Sequence, residues 1–115
     1  MHEAEVILVR ASYAKKAVAK ALPLFGARLD TLQLDRRTRN TSDLRSIVMH
    51  VLRKNTGLSL QEIGKIFKRD HSSVIHNVKK VEGLLNVDKG FSLTYYEIKE
   101  VLVDHLYYQL HHARR

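Results

Sequence analysis

SLQEIGKIFKRDHSSVIHNVKKVEGLL, residues 59–85, carries two helical patterns with a three-residue break between them. Ser59 and Glu62 form a capping box, in which each side chain satisfies the other's backbone donor and so opens a helix. Leu60, Ile63, Ile66 and Phe67 then recur at helical spacing and predict an inward face. Lys68-Arg-Asp70 interrupts the pattern. A second helix starts near Asp70 and runs to about Leu85. Two short helices joined by a three-residue turn describe a helix-turn-helix, whose second helix lies in the DNA major groove with its first residues at the base edges.

The second helix sorts its residues as that role requires. Val74, Val78, Val81 and Leu85 fall on one stripe, and Ser72, His76 and Lys79 lie opposite, with Ser73 and Lys80 further round. Short polar groups at a helix start allow close approach. Asp70 can cap the helix and also accept from a cytosine amino group, while His71 can donate to a purine N7 and serine can meet phosphate or a base edge. An exposed helix N-terminus itself attracts phosphate. The plainer account is capping for Asp70 and the serines and a solvated face for Lys79 and Lys80. His71 and His76 are five apart, a spacing unsuited to sharing a metal on one helix face, so no metal is expected.

Charge follows the same segment. The net charge of the 115-residue chain is +8. Between Arg36 and Lys80 eleven Lys or Arg face three acids, an excess that equals the whole net charge, so the flanks are neutral. A polyanionic partner is the first reading of such focusing. With no cysteine there is no disulfide and no thiolate metal site. The N-terminal apolar run, Val6 to Val9, is too short for a secretory signal, and no segment is long enough to span a membrane, which leaves the cytoplasm as the expected location.

Working outward, one proline, five glycines and 44% hydrophobic residues suit one small all-α domain. A first helix is predicted over about 12–21, capped by Ser12 and stopped by Pro23. A turn at 23–26 and a short helical piece with Leu29 and Leu32 follow. Residues 35–41 read as a basic loop. Thr41 or Ser42 caps the next helix, with Leu44, Ile47, Val48, Val51 and Leu52 inward and Gly57 at its close. Residues 86–90 form a loop. A second capping box, Thr94 to Glu97, opens a last helix to about His112, with Ile98, Leu102, Leu106 and Leu110 as its stripe. Packing on this domain is the simpler use of that stripe; a partner or dimer surface over about 95–112 is the other.

The segments TGLSLQEIG (56–64), FKRDHSSVIH (67–76) and KKVE (79–82) resemble the C-terminal DNA-binding domain of the bacterial chromosomal replication initiator DnaA. The likeness spans about 14–85 and is strongest from Arg36 onward. It implies a small helical domain built around a helix-turn-helix, of the kind shared with the tryptophan repressor, over residues 1–85, with a helical extension over 86–115. It also implies roles. Asp70, His71 and Ser72 would touch bases in the major groove. Ser73 would hold a phosphate, with His76 beside it. Arg37 of the basic loop would enter the adjacent minor groove, flanked on the backbone by Arg36 and Arg39. Arg45, Arg53 and Arg69 would grip phosphates with Lys79 and Lys80, and Leu60 and Gln61 would offer backbone amides.

Three departures stand out. Serines replace the family's two threonines, the turn is one residue shorter and lacks the family's glycines, and no GxxxxGK[ST] loop for a nucleotide is present. The expected function is therefore sequence-specific binding of double-stranded DNA at a box of the initiator type. It would act by occupancy as a replication or transcription modulator, with no ATPase, cofactor or nucleotide. An RNA or single-strand binder is the second hypothesis, disfavoured because Phe67 is the one aromatic residue between Arg36 and Lys80 and stacking needs several. A helical protein-interaction module with Tyr95, Tyr96, Tyr107 and Tyr108 is the third. An enzyme is the weakest class, since the carboxylates are scattered.

Overall fold

The computed structural model describes residues 6–34 and 38–112. Six helices account for most of them: α1 (Ala11–Ala21), α2 (Leu29–Gln33), α3 (Arg39–Asn55), α4 (Leu60–Ile66), α5 (His71–Val87) and α6 (Lys89–His112), with a 3-10 turn at Leu22–Phe25 after α1. Gly26 ends that turn in the left-handed region at φ 72°, where a glycine carries no steric cost.

α3 is the central element. Residues 45–52 are all buried, because α5 packs on one side of it and α6 on another. The stripe predicted for α3 is therefore only part of its buried surface. Polar Ser46 and His50 go inside along with Ile47, Val48, Met49, Val51 and Leu52. Leu44 stays half-buried at the rim. α1 lies along α6, and its buried face is mostly small: Ala14, Ala17, Val18 and Ala21. Small side chains let two helix backbones approach closely.

The stripe of α6 is used within the domain. Ile98, Leu102 and Leu106 are at most 1% exposed and share one core with Phe67, Val74 and Val81 of the helix-turn-helix; Leu110 is half-buried against it. Before α1, the extended segment at Ile7 lies against the α3–α4 junction. The Ile7 amide donates to Asn55 at 2.7 Å, and Ile7 and Val9 are buried.

Helix starts are where the structure departs from the sequence expectation. α3 begins at Arg39, with the Thr38 hydroxyl accepting from the Thr41 amide at 3.4 Å, so Thr41 and Ser42 are inside the helix, and residues 39–41, expected in the basic loop, are helical. α1 is preceded by Arg10, and Ser12 makes no cap. The expected loop at 86–90 is reduced to Asp88, whose carboxylate accepts from the Phe91 amide at 3.0 Å. That cap lets α6 start at Lys89 and places Thr94 within the helix rather than at its end. Among the described residues no helix is long and apolar enough to cross a membrane.

Candidate nucleic-acid interface

α4 and α5 meet through a tight turn. The Arg69 amide donates to Gly64 O at 2.8 Å and the Lys68 amide to Lys65 O at 3.2 Å, a Schellman closure of α4. Lys68 occupies its left-handed position at φ 56°, where glycine is usual. Gly64 makes the closeness workable: a Cβ there would sit 2.5 Å from Arg69 O. The capping box of α4 forms as expected, Ser59 Oγ accepting from the Glu62 amide at 3.1 Å and Glu62 Oε1 from the Ser59 amide at 2.9 Å. The Leu60 and Gln61 amides, next along, have no acceptor among the described residues; Leu60 is half-buried and Gln61 exposed.

The Asp70 carboxylate caps α5, accepting from the Ser73 amide at 2.9 Å through Oδ1. Val74, Val78 and Val81 are buried, and Leu85 is half-buried against the core. On the opposite side Asp70, His71, Ser72, His76 and Lys79 are exposed. The faces predicted for this helix are the faces it has. Ile75, 38% exposed, adds an apolar group beside His71 and Ser72.

The remaining expected contacts divide. Ser73 is half-buried and receives Asn77 Nδ2, which donates to its carbonyl at 2.7 Å with its hydroxyl 3.4 Å away. Asn77 Oδ1 in turn bonds the Ser46 hydroxyl of α3. Asn77, which the sequence reading passed over, thus ties the first turns of α5 to the central helix. Lys80 Nζ lies 3.1 Å from Ser42 Oγ and 3.3 Å from Asp43 Oδ1, so it ties α5 to α3. Arg53 is exposed in the last turn of α3. Arg36 and Arg37 lie outside the described residues; Arg39 is placed as the first residue of α3.

Two arginines are corrected most. Arg45 is 7% exposed, its Nε donating to Leu32 O at 2.8 Å and its Nη2 to Leu34 O at 3.2 Å. Arg69 Nη1 donates to Gln33 O at 3.2 Å and Phe67 O at 3.1 Å, and its Nη2 to Leu34 O at 2.9 Å. Both were expected to grip phosphates. Each is occupied instead with the end of α2, whose last carbonyls have no intrahelical donor and so accept a guanidinium readily.

An all-α body that exposes the start of its second turn-linked helix among basic residues is a helix-turn-helix of the DNA-binding class. The family model for the bacterial DnaA protein helix-turn-helix matches residues 14–81, and the chain belongs to that family. It is 39% identical over 87 residues to the chromosomal replication initiator protein DnaA of Thermosipho melanesiensis, covering 71% of this chain and 20% of that protein. It is 46% identical over 61 residues to the same-named protein of Lachnoclostridium phytofermentans (52% of this chain, 14% of that one) and 38% identical over 74 to that of Wolbachia pipientis (64% and 16%). The chain thus spans a fifth or less of the length of these relatives.

Proposed function

We propose that this chain binds double-stranded DNA in a sequence-specific manner and acts by occupying its sites, as a modulator of replication or transcription. The observation that carries the reading is the start of α5, where Asp70, His71 and Ser72 are exposed around the cap while Val74, Val78 and Val81 anchor the helix behind them. His71 and Ser72 offer donors, and Asp70 keeps one carboxylate oxygen beyond its cap bond for a cytosine amino group. His76 and Lys79 extend the polar face along the groove, and the amides of Leu60 and Gln61 offer a phosphate seat at the start of α4. Arg37 is assigned to the neighbouring minor groove, with Arg36 and Arg39 on the backbone beside it and Arg53 as an outlying phosphate contact. The initiator-type box is the target class that the family membership favours.

The test is selection of bound duplexes from a random pool, followed by affinity for the selected and a scrambled duplex at several salt concentrations. A preferred sequence is expected, weakened by His71→Ala and Arg37→Ala by about 1–3 kcal/mol each, with scrambled binding much less affected. Equal affinity for both duplexes, or stronger binding to single strands in competition, would remove the reading.

A further inference from the structure

Arg69 joins two places that the proposed DNA reading keeps separate. Through the peptide bond it is the neighbour of Asp70, the cap of α5. Through its guanidinium it reaches the carbonyls of Gln33 and Leu34, at the root of the basic segment, and that of Phe67 in the turn. Arg45 adds a second bond to Leu34 O from the buried side. Gln33 closes the bridge in the other direction, its Nε2 donating to Ile66 O, the last carbonyl of α4, at 2.9 Å. The bonds of Arg69 to Gln33 and Leu34, and of Gln33 to Ile66, link positions 33 to 36 residues apart in the chain.

We infer that Arg69 is a positioning residue: with Gln33 it clamps the root of the basic segment to the turn before α5, so that groups reading the two DNA grooves are held at one spacing. The inference rests on the DNA reading above. Its chemistry is that of a planar fork with several donors meeting clustered carbonyls, which a lysine's single ammonium cannot reproduce. A phosphate ligand behaves differently: it acts on all sequences alike, contributes about one to the salt slope, and tolerates lysine.

The probe is the duplex that the wild-type chain retains from a random pool, against a scrambled duplex of equal length, with thermal melting as the folding control. Arg69→Ala is expected to weaken selected binding about tenfold, the loss of roughly one base contact. Scrambled binding should change by less than about twofold with an unaltered salt slope. Arg69→Lys should not restore the preference. In an Arg37→Ala background, Arg69→Ala should cost little more, because the group it positions is gone. Gln33→Ala leaves both arginines in place and should show the same pattern, weaker; it decides the matter if Arg69→Ala does not fold. Equal weakening of both duplexes with a slope lower by about one, rescue by lysine, or additive losses with Arg37→Ala each overturn the clamp. So does an unchanged preference in Gln33→Ala and Arg69→Ala. A wild-type chain that retains no duplex overturns the DNA reading itself, and the clamp with it.

Discussion

Tyr95 Oη lies 2.7 Å from His50 Nδ1, with the two rings edge to face and their centroids 5.2 Å apart. The pair joins α6 to the central helix inside the core. Burial raises the Tyr95 phenol well above its ordinary range, so its hydroxyl keeps a proton to donate. The imidazole then accepts at Nδ1 and carries its own proton on Nε2, which faces Glu82 of α5 at 3.8 Å. One neutral histidine of α3 thus ties both α5 and α6 to the central helix.

That arrangement sets a pH dependence. Burial is the main cause holding His50 below a histidine's ordinary 6.5; Glu82 opposes it, and Lys54 and Lys99 reinforce it. With the folded value below the unfolded one, the unfolded chain takes up the proton first as pH falls. Stability from His50 is therefore complete above about 6.5 and declines below it, down to the folded value. Glu82, held low chiefly by its hydrogen bond from Lys54, adds a further loss at more acid pH. Melting temperature is expected to fall between about pH 7.5 and 5.5. His50→Gln, which can still accept from Tyr95, should flatten that part of the profile. An unchanged profile in the variant would show that His50 is not the titrating group.

Gly64 and Gly83 make a matched pair. A Cβ at Gly64 would meet the backbone of Arg69 and Asp70 at 2.5 and 3.2 Å, atoms that cannot swing away, whereas at Gly83 it meets nothing within 4 Å. Gly64→Ala should cost about 2 kcal/mol or more and displace the cap of α5, lowering selected-duplex affinity with it. Gly83→Ala, in the middle of α5, should stabilise by about 0.5–1 kcal/mol through helix propensity. Chemical denaturation of both variants checks the contrast.

What the sequence made legible was local and periodic. The alternation of Val74, Val78 and Val81 with Ser72, His76 and Lys79 needs only the 3.6-residue repeat, and the structure has those faces. The Ser59–Glu62 box likewise forms from neighbours alone. The intramolecular partners of Lys80, Arg45 and Arg69 were not legible because these acceptors lie 38, 11 to 13 and up to 36 residues away in the chain, where no spacing rule reaches. The start of α6 was missed for a different reason. Asp88 and Thr94 are both competent caps by residue type, and local sequence does not rank them; in the structure Asp88 takes the role, and Phe91, whose amide it accepts, is buried in the core.

Lys68 holds the glycine position of a Schellman closure at φ 56°. A non-glycine residue in that region carries a steric cost of roughly 1–2 kcal/mol. Lys68→Gly is expected to stabilise the fold by up to about 1 kcal/mol, the gain being reduced by glycine's greater freedom in the unfolded chain. Lys68→Val should destabilise by more than that, since a β-branched side chain fits the left-handed region worst. Urea midpoints in the order Gly, Lys, Val check this; a valine variant as stable as wild type would sink it.

Neighbouring lysines on α5 should separate by role. Lys79 is exposed with no ion pair among the described residues, and Lys80 is 30% exposed and paired with Asp43. Lys79→Ala should lower the salt slope of binding by about one and leave melting unchanged. Lys80→Ala should lower stability by less than about 1 kcal/mol and change the slope less. Slopes from titrations at three or more salt concentrations distinguish the two.

Asp70 caps α5, and the proposed reading adds a base contact to that cap; two substitutions pull the two apart. The cap uses Oδ1, and asparagine caps a helix as well as aspartate does. Alanine cannot cap, so Asp70→Ala should cost about 1 kcal/mol of stability. Asp70→Asn should melt near wild type. Its amide nitrogen, however, puts a donor where the carboxylate offers an acceptor, and a cytosine amino group needs the acceptor. If that oxygen reads a base, Asp70→Asn should shift the sequence selected from a random pool at one position, at a cost of about 1–3 kcal/mol on the original duplex. An Asp70→Asn chain that selects the wild-type sequence with wild-type affinity would confine Asp70 to the cap.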